Sequence, residues 1–180
     1  DPMCGSGTFV IEAAEIAAGL APGRARGFAF EHLACFDAAA WDALREPPAG
    51  PTPGPPRFFG RDRDAGAIRA AQANAARAGL AAATDFRRGA ISDLARPDGP
   101  PGLVMVNPPY GGRIGKRGPL HGLYATLGEV LRTRFSGWRV GLVTADPGLA
   151  RATGLPFGPP GPPVPHGSLK IRLYRAGPLP

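Results

Sequence analysis

Two short runs of almost uninterrupted apolar residues constrain this chain most: Leu103 to Val106 (LVMV) and Val140 to Thr144 (VGLVT). A strand with one wet face alternates apolar and polar residues, whereas a strand covered on both faces does not. Both runs predict strands buried inside a parallel sheet. Helix-forming segments stand between such strands. Phe9 to Ala18 (FVIEAAEIAA) carries apolar residues at helical spacing, and a weaker helix is predicted over about Ala38 to Arg45. Asp64 to Gly79 is Ala-rich, apolar at Ile68, Ala71, Ala75 and Ala78, and closed by a glycine. Another helix is expected over about Leu123 to Phe135. Short strands are predicted from Arg57 to Gly60, ending at Asp62, and from Phe86 to Ala90. Leu169 to Arg175 alternates apolar and basic residues, as an edge or half-exposed strand does. The alternation of strand and helix argues for an α/β fold, an open and mostly parallel sheet with helices on both faces.

Two proline-rich stretches interrupt this alternation. Pro47 to Pro56 reads as a loop, because it can form neither a helix nor an interior strand and the same alternation resumes after it. Leu155 to Pro165 reads as a long irregular connection that replaces or shortens a strand.

The 180 residues are the size of one domain, and no stretch approaches the roughly 20 apolar residues of a membrane span. The opening Asp1-Pro2 does not resemble a signal peptide, so a soluble, cytoplasmic protein is expected. Twenty-one basic against fourteen acidic side chains give a net charge of +7. That excess suits a polyanionic partner such as RNA, and it equally suits a composition rich in Ala, Gly, Pro and Arg for other reasons. Cys4 and Cys35 lie far apart, and His32, His121 and His166 are isolated, so neither a metal site nor a disulfide framework is assigned.

Four segments carry chemistry. Asp1-Pro2-Met3-Cys4-Gly5-Ser6-Gly7-Thr8 places glycines two apart at the entrance to a helix, where a backbone can approach a ligand. The same pattern serves a tight turn with no ligand. Gly60-Arg61-Asp62-Arg63-Asp64 follows the next strand, and an acidic residue at a strand's carboxyl end can accept hydrogen bonds from ribose hydroxyls. Asp62 is the better ribose candidate, since Asp64 stands where a helix N-cap belongs. Asp93, after Ser92, could accept from an adenine amine or simply turn the chain. The fourth segment decides the matter: Asn107-Pro108-Pro109-Tyr110 directly follows the LVMV strand. Consecutive prolines remove two backbone donors and stiffen the chain. The Asn107 side chain and a neighbouring backbone carbonyl can take both hydrogens of an aromatic amine, while Tyr110 offers a surface on which its ring can stack.

These residues carry a resemblance. The chain resembles the class I methyltransferases that act on amino groups and bear an Asn/Asp-Pro-Pro-Tyr motif. Within that group, DPMCGSGTFVIEAA followed by NPPYGGR is similar to the large-subunit ribosomal RNA guanine-N2 methyltransferases and their tRNA relatives, a family once named adenine-specific DNA methylases. The likeness runs from Asp1 to about Arg175. It implies a Rossmann-like fold and S-adenosylmethionine as cofactor. It implies that Asp1, Gly5 and Gly7 border the methionine part, that Asp62 binds the ribose and that Asp93 binds the adenine. Asn107 and Pro108 would hold the target amine and Tyr110 would stack on the base. Glu12 stands either toward the cofactor pocket or on the helix surface. Arg113, Lys116 and Arg117, just beyond the motif, lie where a phosphate backbone would pass.

Two departures accompany the resemblance. In the family a buried central strand leads into Asp1, and an RNA-binding THUMP module precedes the catalytic domain. Neither stands ahead of Asp1 here, so the 180 residues are expected to be the catalytic domain of a longer protein, with its first strand truncated. GPPGPPVP also stands where relatives have a more regular strand. The expected function is methyl transfer to guanine N2 in ribosomal RNA. The alternatives are guanine N2 in tRNA, adenine N6 in DNA, and a non-catalytic RNA-binding remnant.

Overall fold

The computed structural model describes residues 1–24, 26–45, 58–110 and 117–180, so the proline-rich loop expected from Pro47 to Pro56 lies outside the described residues. Five helices and six strands follow one another as α1 (Thr8–Ala17), α2 (Ala38–Arg45), β1 (Phe58–Asp62), α3 (Ala65–Arg77), β2 (Thr84–Arg88), β3 (Leu103–Val106), α4 (Arg117–Arg134), β4 (Arg139–Thr144), α5 (Pro147–Ala152), β5 (Val164–His166) and β6 (Leu169–Ala176), counted among the described residues.

Local chemistry sets several of these boundaries. The Asp64 carboxylate accepts the Ala67 N–H at 2.9 Å and caps α3, as its position in sequence suggested. α4 begins at Arg117, ahead of the expected start near Leu123. Its Pro119 sits in the first turn, where a missing N–H breaks no intrahelical bond. α5 was not anticipated, although Asp146 as N-cap followed by Pro147 is a recognisable start.

The sheet comes in two pieces. β1 pairs in parallel with β2, and a second piece runs β3–β4–β6–β5, with β3–β4 parallel and the other two pairings antiparallel. β6 is partly exposed, and the edge beyond it is taken by the three residues of β5, which end the irregular Leu155 to Pro165 connection. β1 and β3 do not pair with each other. The main chain of Asp1 instead lies along the open edge of β1. Its amine donates to the Phe59 carbonyl, and its carbonyl accepts the Arg61 N–H, both at 2.8 Å. This is the edge on which the family resemblance implies a strand leading into Asp1.

Each sheet piece has its own core. Val104, Val106, Val140 and Leu142 of β3 and β4 pack with Tyr124, Leu127, Val130 and Leu131 of α4 and with Leu149 and Ala150 of α5. Gly128 allows that packing, because a Cβ there would stand 1.7 Å from the Thr153 carbonyl oxygen. The smaller core holds Cys4, Val10, Ile68, Ala71, Ala75 and Phe86, between the β1–β2 pair and the helices α1 and α3. Outside both cores, Phe28, Phe30, Phe36 and Trp41 pack on one another near α2, with ring centroids 4.9 to 6.1 Å apart. Among the described residues no helix is long and apolar enough to cross a membrane.

Candidate functional site

The Asp1–Thr8 turn lies across the seam between the two cores: Met3 packs against the larger one and Cys4 is buried in the smaller. Gly5 and Gly7 both adopt left-handed φ values, 53° and 89°. Side chains disfavour that region, and at Gly7 there is a second reason for glycine. A Cβ would come within 2.9 Å of the Phe86 ring and 3.1 Å of Ala71. At Gly5 a Cβ would meet nothing within 4 Å, so the backbone there is open to approach.

Asp62 closes the turn from the other side. Its Oδ2 accepts the Gly5 N–H at 3.0 Å, and its Oδ1 accepts the Asp64 N–H at 2.9 Å. One carboxylate therefore ties the end of β1 to the glycine turn, and each oxygen keeps lone-pair capacity for a further donor. The structure brings Asp62 and Gly5 into direct contact. The Asp1 carboxylate accepts the Met3 N–H at 3.0 Å. Asn74 of α3, which sequence reasoning passed over, donates to the Ser6 carbonyl at 2.8 Å and steadies the turn. Glu12 is exposed on α1. Burial, with the nearby Asp62 charge, pushes the Cys4 thiol up to about 11 and keeps it protonated.

Asp93 ends a 3-10 turn (Ile91–Asp93) just past β2, and its carboxylate is exposed. The larger core holds this turn. Ile91 and Leu94 pack against that core, and Arg134 at the end of α4 donates to the carbonyls of Ser92 and Leu94 at 2.9 and 2.8 Å. The loop from β2 also crosses Asp62, whose carbonyl accepts the Gly89 N–H at 2.9 Å.

Asn107 follows β3 and is exposed, and no group among the described residues hydrogen-bonds to its side chain. Pro108 is fully buried, and Tyr110 is partly buried against the larger core. The Pro109 carbonyl is occupied by the Tyr124 hydroxyl at 3.3 Å. Arg113 and Lys116 lie outside the described residues, and Arg117 is the first residue of α4. Among the described residues no group of three or more His, Cys, Asp and Glu is placed to hold a metal ion.

Sequence reasoning also missed Tyr124. It stands in the apolar stripe of α4 with Leu120, Leu127 and Leu131, and a tyrosine in such a stripe needs a partner for its hydroxyl. That need was the available signal.

Comparison with known proteins agrees along most of the chain. The model of the RMKL-like methyltransferase domain matches residues 1–155. The ribosomal RNA large subunit methyltransferase K/L of Chromohalobacter salexigens is 45% identical over 163 residues, covering 86% of this chain and 22% of that protein. The protein of the same name from Syntrophotalea carbinolica is 47% identical over 163 residues, covering 86% and 23%. The chain thus spans under a quarter of the length of these curated relatives, by the 22% and 23% just given. Among solved structures, SMU.472 complexed with SAH superimposes with a TM-score of 0.82 at 29% identity, over 97% of this chain and 46% of that one. A possible methylase from Clostridium difficile 630 superimposes with a TM-score of 0.85 at 29% identity, over 100% and 48%.

Proposed function

The chain belongs to the RMKL-like methyltransferase domain family, and from that premise we propose that it transfers a methyl group from S-adenosylmethionine to the exocyclic N2 amine of a guanine in ribosomal RNA. The observation that carries the reading is the Asn107–Tyr110 segment: an exposed amide with no described partner, beside a buried proline at the end of a strand. The named relatives act on large-subunit ribosomal RNA, and the +7 charge suits a nucleic-acid partner. A ribosomal RNA substrate also makes the cytoplasm the place of action.

The turn fits the cofactor. Left-handed Gly5 and Gly7 bare the backbone, and Asp62 presents a carboxylate with spare acceptor capacity beside them. Asp1, Gly5 and Gly7 would hold the methionine part, Asp62 the ribose hydroxyls and Asp93 the adenine amine. When bound, S-adenosylmethionine supplies a methyl group activated by its sulfonium charge.

The chain's own residues prepare the nucleophile. An exocyclic amine is a poor nucleophile because its lone pair is delocalised into the ring. Asn107 Oδ1 and the Pro108 carbonyl accept its two hydrogens and favour a pyramidal nitrogen with a localised lone pair. Tyr110 stacks on the base and fixes its plane. Positioning then lowers much of the barrier. The base has to leave its stack to reach this segment, so loops and single strands are the natural targets. Arg113, Lys116 and Arg117 would meet the phosphates alongside.

The test is chemical identification. The full-length protein is incubated with S-adenosylmethionine and, separately, ribosomal RNA, tRNA and DNA, and the digested nucleosides are identified by mass. N2-methylguanosine in ribosomal RNA is expected. N6-methyladenine in DNA would replace the substrate, and no transfer to any polymer would favour a binding remnant.

A further inference from the structure

Tyr124 is the largest fully buried side chain of the protein's described residues, and its hydroxyl lies between the proline pair of the proposed site and the end of β4. It is 3.3 Å from the Pro109 carbonyl and 3.4 Å from the hydroxyl of Thr144, which is itself fully buried at the end of β4. The Asp146 N–H donates to that threonine oxygen at 3.2 Å. The two ends of the chain set its direction. A backbone N–H can only donate and a carbonyl can only accept. The single order that satisfies every group therefore runs from the Asp146 N–H to Thr144, from Thr144 to Tyr124, and from Tyr124 to Pro109. Burial raises the Tyr124 hydroxyl to about 12, which keeps it protonated as the donor this order requires. The O···O separations are longer than the roughly 2.7–2.8 Å of a relaxed O–H···O bond, as active-site contacts outside the reacting complex often are.

The consequence falls on the backbone of the motif. A residue has two soft dihedrals, and the proline ring already holds φ at Pro109. A hydrogen bond that holds the Pro109 carbonyl holds ψ as well. With both fixed, the direction in which the chain leaves Pro109 toward Tyr110 is set, and no described donor takes the Pro108 carbonyl. We propose that Tyr124 is a positioning residue for methyl transfer, aiming the Asn107–Tyr110 segment through the Pro109 carbonyl with Thr144 as its support. The proposal rests on the functional reading above, and it assigns to Tyr124 no contact with base or cofactor.

Tyr124→Phe in the full-length protein keeps the ring and removes only the hydroxyl. The single-turnover methyl-transfer rate should fall about ten- to a hundredfold, the scale expected when reacting groups are slightly misaimed. S-Adenosylmethionine affinity and the KM for RNA should stay essentially unchanged. Thr144→Val should give a smaller loss, and the double variant should be no slower than Tyr124→Phe alone, since both act along one chain of bonds. Backbone NMR relaxation at Tyr110 supplies a readout independent of turnover and should show greater mobility in Tyr124→Phe. A variant with wild-type turnover overturns the proposal, and so does one in which turnover and cofactor affinity fall together. If the wild type methylates nothing, the functional reading falls, and unchanged Tyr110 relaxation in the variant would then overturn the positioning role separately.

Discussion

The half of the molecule that carries Asp62 and the half that carries Asn107 are held in different ways. Around Asn107, valines and leucines of two strands pack on α4 and α5, with Tyr124, Leu127, Leu131, Val106 and Leu142 showing no exposure. Around Asp62 the core is six buried residues, two of them alanines, with Phe86 as its one buried ring and Ile11 and Phe58 packed against it. Phe86 occupies the space that Gly7, Gly60 and Ala71 leave, so that a Cβ at Gly60 would lie 2.4 Å from it. Hydrogen bonds supply what apolar contact does not. Asp1 and Cys4 bond to β1, and Asp62 bonds to Gly5. The comparison teaches a division of construction: the half that carries Asn107 is a packed body, and the half that carries Asp62 is a backbone scaffold propped by one buried aromatic ring.

The sharpest way to break that comparison is to remove the prop. Phe86→Ala should cost about 3–5 kcal/mol, the usual range for a buried aromatic truncated to alanine. Because the ring also supports Gly7, the loss should appear as weakened S-adenosylmethionine binding, with amide protection retained in β3, β4 and α4. Equal loss of protection in both halves would show that they are one cooperative unit.

The larger half should yield to the opposite insult. Gly128→Ala adds a methyl against the Thr153 carbonyl, and the resulting shift of α4 from α5 should destabilise the protein by about 3 kcal/mol, the upper part of the overpacking range. A melting temperature equal to wild type would mean that the two helices have room to separate at no cost.

The smallest effect concerns the cysteines. Cys4 is buried and held protonated with its thiol near 11, whereas Cys35 is exposed. Mass spectrometry after brief alkylation of the native protein should find Cys35 modified and Cys4 intact. Rapid modification of Cys4 would show that the propped half opens readily.

Much of this division is legible in the sequence, for identifiable reasons. LVMV and VGLVT announce buried strands because nothing polar interrupts them, and Asp64 announces a cap because it precedes an alanine-rich helix. The open α/β sheet follows from that alternation, the motif residues add the resemblance to class I methyltransferases, and the structural likenesses bear the fold out. Other features depend on distant partners and escape a linear reading. Gly60 looks like a strand glycine until Phe86 is seen lying across it. Tyr124 and Thr144 sit in different elements, and only packing brings their hydroxyls to Pro109. Asp62 was singled out as a ribose ligand, but its bond to the Gly5 N–H could not be read from spacing, because the two residues are separated by 57 positions.

The claim that the two halves do separable work is tested most directly at Asn107. Its side chain is exposed and bonded to no described group, so replacing it should disturb neither core. Asn107→Ala in the full-length protein should reduce turnover at least ~10²-fold, the scale of a lost transition-state hydrogen bond, while calorimetry finds S-adenosylmethionine affinity unchanged. Turnover close to wild type, or a matching loss of cofactor affinity, would contradict the account.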